Sequence, residues 1–203
     1  MAPTAKPPKT PAARAGGRRR TPQQLDLLRR PDARTAIVMA SGFVFDLSAP
    51  DATGMPIEDI ALALSSQPRW GGAARPWYSV AEHSVMASRL VPARYARDAL
   101  LHDCEEFLGD LPSPFKRLLG REQLKKRLLP VREALAKEFR FQLEVPSVKH
   151  ADLVCMATEL RDLLPPHWAD WGELPPPAPE RIVPVGPERA CALFLARYDE
   201  LGG

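Results

Sequence analysis

Residues 100–116 read Leu-Leu-His-Asp-Cys-Glu-Glu-Phe-Leu-Gly-Asp-Leu-Pro-Ser-Pro-Phe-Lys, and most of what can be read from the chain turns on this stretch. One imidazole and four carboxyls (His102, Asp103, Glu105, Glu106 and Asp110) fall within nine positions at the end of an otherwise apolar segment. Burying so many ionisable groups is costly unless something compensates them. A divalent cation does so, because imidazole nitrogen and carboxylate oxygen are its natural ligands. Apolar residues at Ala96, Ala99, Leu100 and Phe107 predict a helix over 95–108. On such a helix His102 and Glu106, at i and i+4, share a face, while Asp103 lies about 100° around and reaches the same ion from the rim. Gly109 predicts the helix end, which leaves Asp110 in a loop above it.

The neighbouring segments supply further ligands. Ser79 followed by Glu82 has capping-box spacing and predicts a helix over 79–90 that carries His83. A helix over 148–164 opens after Pro146 and carries Asp152 just before the apolar pair Leu153-Val154. An acid there is hard to explain by solvation alone, so Asp152 is the leading candidate for the fourth ligand. His150 lies two residues away, faces elsewhere and reads as surface. His167, between proline and Trp168, reads as structural. Trp77 and Tyr78, just before the His83 helix, read as core.

Other helices are expected over 57–65, over 122–139 with Pro130 marking a kink or a break, and over 188–201. Residues 36–47 predict two short strands around a turn at Ala40-Ser41-Gly42. The expected architecture is an all-α bundle with a short β-hairpin in front.

Charge and proline content divide the chain. Residues 1–34 hold six prolines and nine Lys/Arg against two acids, a net +7, so the +3 of the whole chain hides a body of −4. A Pro- and Arg-rich stretch this poor in aromatics cannot bury enough apolar surface to offset its ordering entropy. Residues 1–34 are therefore expected to form a disordered basic tail, with a short helix near 21–30, and residues 35–203 a single domain. A second proline-rich stretch, 165–187 with eight prolines, holds Trp168 and Trp171 and is expected to lie partly against the body. No apolar run approaches the ~18 residues that a membrane span needs. Cys104, Cys155 and Cys191 are odd in number and lack CxxC spacing, which fits a reducing cytoplasm better than a disulfide scaffold.

The order His83, His102-Asp103, Asp152 resembles the signature of the HD-domain metal phosphohydrolases. Four segments carry the likeness: IEDIALAL (57–64), RWGGAARPWYSVAEHS (69–84), LLHDCEEFLGDLPSPFK (100–116) and SVKHADLVCMATE (147–159). The HD followed by GD-x-P-x-P-x-K is closest to the bacterial 5′-deoxynucleotidases of that superfamily and to related phage dATP and dNTP triphosphohydrolases. The resemblance implies an HD-type helical domain and a divalent metal (zinc, cobalt, manganese or iron) held by His83, His102, Asp103 and Asp152. It implies Glu106 as the acid acting on the attacking water and Asp110 as the acid at the leaving oxygen. Arg69 and Trp70 resemble a pair that holds phosphate and packs on the nucleoside, and Lys116 the lysine that closes the GD segment. The chain has one residue fewer than relatives between HD and GD. Counting from His102 selects Glu106 and counting back from Asp110 selects Glu105; the i+4 spacing favours Glu106.

The expected activity is hydrolysis of phosphate from deoxynucleotides, with a deoxynucleotide as the small-molecule partner, self-association into a homo-oligomer, and no membrane. Two alternatives stand beside it. One keeps the site and changes the substrate to a guanosine alarmone or a cyclic nucleotide. The other is a nucleic-acid-binding scaffold that uses the +7 tail, whose binding would fall steeply with salt.

Overall fold

The computed structural model describes residues 34–166 and 172–203. The basic tail through residue 33, and His167, Trp168 and Trp171, lie outside the described residues. Among those described, a two-stranded hairpin precedes seven α-helices.

Strands β1 (Ala36–Val38) and β2 (Val44–Asp46) pair antiparallel in the register Val38 to Val44. Their turn closes with the Met39 N–H donating to the Phe43 carbonyl at 2.8 Å, and Gly42 takes the φ of 90° that the turn requires. The hairpin is anchored at its face: Phe45 is fully buried and meets Phe107 edge-on, with ring centroids 5.5 Å apart. Because Phe107 follows Glu106 directly, this contact fixes the turn that carries the acidic cluster.

Helices α1 (Ile57–Ser66), α2 (Val80–Arg89) and α7 (Pro187–Glu200) pack around one core built from Ile60, Leu64, Val80, Val85, Ala190 and Phe194. The predicted capping box is present at α2. Ser79 Oγ accepts the Glu82 N–H at 3.2 Å, and the Glu82 carboxylate accepts the Ser79 N–H at 3.0 Å. Helix α5 (Arg121–Phe139) runs through Pro130 without ending there. Its apolar side is a single stripe, Val131, Leu135 and Phe139, spaced by four, and Pro130 lies on the exposed side. Helix α6 (Pro146–Asp162) begins with proline in its first turn, where no N–H partner is needed.

Three expectations need correction. The helix expected over 95–108 is broken. Helix α3 covers only Ala96–Leu100, and Cys104–Leu108 forms a separate 3₁₀ turn. The cause is local: His102 Nδ1–H donates at 2.8 Å to the Ala99 carbonyl, which a continuing helix would offer to the Asp103 N–H. Beyond the break the N–H groups reach back three residues, Cys104 to Leu101 and Glu106 to Asp103. Trp77 is not core but 41% exposed, whereas its neighbour Tyr78 is buried. Ser113–Leu118, embedded among prolines and not expected to be helical, forms the short helix α4 with proline in its first turn.

The described part of the proline-rich connector is strapped to the body. Thr158 Oγ1 accepts the Ala178 N–H, Arg161 donates to the Ala178 and Glu180 carbonyls, and Asp162 accepts the Ile182 N–H. At the far end Glu82 accepts the Val185 N–H at 2.9 Å. Residues 178–185 thus tie α6 to the start of α2, the two helices that flank the acidic cluster. Among the described residues no helix is long and apolar enough to cross a membrane.

Candidate metal centre

Three separate elements bring two imidazoles and two carboxylates together. Helix α2 supplies His83, the break after α3 supplies His102 and Asp103, and α6 supplies Asp152. His83 Nε2 stands 3.4 Å from His102 Nε2, 3.6 Å from Asp103 Oδ2 and 3.5 Å from Asp152 Oδ1. His102 Nε2 is 3.3 Å from Asp103 Oδ2. Ligands ~2.1 Å from a tetrahedral ion stand about 3.4 Å apart, so these spacings match those around a cation.

The protonation pattern fits the same use. His102 directs Nδ1–H at the Ala99 carbonyl, which can only accept. His83 directs Nδ1 at the Glu159 carboxylate, 2.6 Å away. Both rings therefore turn Nε2 toward the cluster, as outer partners commonly arrange for ligating histidines. Burial opposes ionisation of Asp103 and Asp152, but the His102 and His83 imidazoles hold both carboxyls below the ordinary range. With no ion bound, burial and Arg69 oppose protonation of His83, yet Glu159 and Asp152 outweigh them and push it up to about 10, so a cation held there would have to displace the proton on Nε2. His83, His102 and Asp152 form a group that can hold a metal ion.

Arg69 lies at the edge of this cluster. Its guanidinium is within 4.0 Å of four carboxylates: Glu159 at 3.3 Å, Asp110 at 3.7 Å, Asp103 at 3.8 Å and Glu106 at 4.0 Å. Burial works against its charge, and those acids more than compensate, so it stays cationic. Lys116, at the centre of α4, donates to Glu106 Oε1 at 2.8 Å. Two buried atoms here have no hydrogen-bond partner, Arg69 Nε and Glu106 Oε2.

The structure thus brings His83, His102, Asp103, Asp152, Glu106, Asp110, Arg69 and Lys116 into one region. Glu106 joins it for a reason different from the expected one. In a 3₁₀ turn residues three apart eclipse, so Glu106 sits over Asp103, not over His102 on a helix. Glu105 turns away and pairs with Arg132 at 3.0 Å; burial and Asp103 push its carboxyl up to about 7 despite that arginine. Trp70 is half-buried in a left-handed conformation, φ 60°, and its indole N–H donates to Glu159 at 2.9 Å. His150 is exposed, as expected.

Sequence reasoning missed Glu159. It is fully buried and receives His83 Nδ1–H, the Arg69 guanidinium and the Trp70 indole. Its spacing was a usable signal: it follows Asp152 by seven residues, two helical turns along the same face. Beside the ligand cluster a cleft of about 410 Å³ opens, bounded by His102, Asp103 and Asp152. Lys116, Arg121, Lys125, Arg132 and Lys149 line it together with the acids Glu105, Glu122 and Glu144 and apolar residues such as Leu128 and Phe141.

Fold and site define a helical protein with a small β-hairpin and a His/His/Asp group able to hold a metal ion. No protein-family model matches the chain. It is 39% identical to the uncharacterized protein YfdR of Escherichia coli (strain K12) over 151 residues, 71% of this chain and 83% of that protein. The chain therefore belongs to the family of YfdR. It is also 39% identical over 93 residues to the uncharacterized protein RCAP_rcc00048 of Rhodobacter capsulatus, covering 41% of this chain and 47% of that protein.

Proposed function

We propose that this chain is an HD-type, divalent-metal-dependent phosphohydrolase that releases phosphate from deoxynucleotides. The observation that carries the reading is a four-atom ligand cluster with Arg69 beside it, held within 4.0 Å of Asp103, Glu106 and Asp110. Phosphate-ester hydrolysis needs three things at once: an activated water, positive charge on the non-bridging oxygens, and a proton for the leaving oxygen.

His83, His102, Asp103 and Asp152 would hold the cation. Bound there, it would lower the pKa of a coordinated water and polarise a phosphoryl oxygen. Arg69 and Lys116 neutralise the non-bridging oxygens, with Arg69 Nε the unpartnered donor on that side. Glu106 Oε2, the unpartnered acceptor, orients the attacking water or takes its proton. Asp110 serves the leaving oxygen. The 410 Å³ cleft beside these groups, lined by His102, Asp103, Asp152 and Lys116 with apolar residues between charged ones, offers room for an organic substrate.

The test is a screen of purified full-length protein, with several divalent metals, against dNMPs, dNTPs, guanosine alarmones and cyclic nucleotides, with product analysis. Inorganic phosphate from a dNMP signifies monoesterase action, and triphosphate from a dNTP signifies attack at the α-phosphate. His102→Ala and Asp103→Asn should abolish release while the helical circular-dichroism signal is kept. Full activity in either variant, after metal is stripped and restored, would overturn the reading; turnover of alarmones or cyclic nucleotides alone would move the site to that substrate class.

A further inference from the structure

Among the described residues, the one carboxylate with no solvent exposure at all has no part in the proposed chemical steps. Glu159 lies on α6 with no solvent exposure, and its two oxygens divide their work. Oε1 accepts His83 Nδ1–H at 2.6 Å, while Oε2 accepts the Trp70 indole N–H at 2.9 Å and an Arg69 N–H at 3.3 Å. A carboxylate offers about four lone-pair sites, so three donors leave it well satisfied in a place where an unpaired charge would be prohibitive.

We propose that Glu159 is a positioning residue whose single buried carboxylate fixes His83 on the metal-ligand side and Arg69 and Trp70 on the anion-binding side, so that one anchor holds both halves of the site.

The geometry leaves little alternative for His83. Its Nδ1 faces an acceptor without hydrogens, so Nδ1 keeps its proton and Nε2 is the atom presented to Asp103 and Asp152. On the other side, Trp70 occupies a left-handed conformation that costs a non-glycine residue energy, and its indole bond to Glu159 holds it there. The Arg69 N–H to Tyr78 carbonyl bond at 2.9 Å fixes the backbone of the same turn. Glutamine at 159 keeps the shape but replaces one oxygen with an NH₂ group. That group meets either His83 Nδ1–H or the Arg69 and Trp70 donors head-on. Turned toward His83, it favours the wrong tautomer, with the proton on Nε2.

This inference rests on the metal centre proposed above, and the experiment separates the two. Metal-stripped full-length protein is titrated calorimetrically with Zn²⁺ and Mn²⁺, and the Mn²⁺-loaded protein is titrated with inorganic phosphate. Glu159→Gln should weaken metal binding about ten- to a hundredfold, the usual loss for an outer partner of a ligating histidine. It should weaken phosphate binding at saturating metal as well. Glu159→Asp, one methylene shorter, should recover neither fully. In the zinc-loaded wild type, proton NMR should show a far-downfield imidazole N–H assigned to His83 Nδ1, absent from Glu159→Gln. If the wild type binds no metal, the metal centre itself fails. If it binds metal but Glu159→Gln matches it in both constants, or the wild-type His83 proton sits on Nε2, the positioning role is overturned. The wild-type spectrum decides the matter even if both variants fail to fold.

Discussion

Because the proposed metal centre draws its residues from three elements, bound metal should act as a cross-link on the native state, and its removal should be visible as lost thermal stability. In the unfolded chain His83, His102, Asp103 and Asp152 are scattered over 70 residues and form no site. A ligand that binds only the native state stabilises it by RT ln(1 + [L]/Kd), about 2.7 kcal/mol at a hundredfold excess over Kd. For a chain of this size each kcal/mol raises Tm by roughly 2–4 °C, so saturating metal should raise it by about 5–11 °C. The assay is a thermal melt of chelator-stripped protein titrated separately with Zn²⁺, Mn²⁺, Co²⁺ and Fe²⁺. Asp152→Ala supplies the control. Asp152 is partly exposed and, metal aside, faces both exposed Lys149 and buried His83 Nε2, 3.5 Å away, so each protein's shift is measured from its own stripped form. Losing one ligand should weaken metal binding at least tenfold. At equal metal concentration that takes about 1.4 kcal/mol, or roughly 3–6 °C, off the shift. Wild-type protein that melts within about a degree of the stripped form in all four metals would refute the reasoning, as would an Asp152→Ala variant that responds like the wild type.

Three further outcomes follow from the packing. Ser79→Ala removes the hydroxyl half of the α2 capping box and should cost about 1–2 kcal/mol in urea unfolding, since the cap is fully buried. Phe194→Ala, at the centre of the α1–α2–α7 core, should cost about 3–5 kcal/mol by the same measurement. Asp162 receives Arg161, the Ile182 N–H and Arg181, and the Arg161 bond above all holds its carboxyl below the ordinary value of 3.8. A depressed acid stabilises the fold above its unfolded pKa and loses that contribution as pH falls. Wild type should therefore exceed Asp162→Asn by about 1–2 kcal/mol at pH 7, with the gap closing below about pH 4 when unfolding is followed across pH.

Much of the scaffold was legible because it rests on local rules. The Ser79–Glu82 box, the proline opening α6 and the apolar spacing of α1 and α7 each depend on residues within a turn or two of one another. The site was legible as chemistry but not as geometry. His102 and Asp103 stand out by residue type, yet the helix expected to carry them ends early, because a side chain of that very motif takes a backbone acceptor at Ala99. Periodicity cannot register such a substitution, since Leu101, Cys104 and Phe107 are buried either way. Glu159 escaped for the opposite reason. An acid near the end of a helix looks like solvation, and only the arrival of His83, Arg69 and Trp70 from 76 to 90 residues away reveals its use. Trp77 and Tyr78 show how coarse aromatic content is as a guide: adjacent rings point to opposite sides of the surface.

Helix α7 enters the core beside α1 and α2 through Ala190 and Phe194, although it lies more than a hundred residues beyond them in the chain. During synthesis, then, Ile60, Leu64 and Val85 must wait uncovered until the ribosome has released the segment as far as Leu201. A nascent chain halted short of that point would present a raw apolar face to chaperones and proteases.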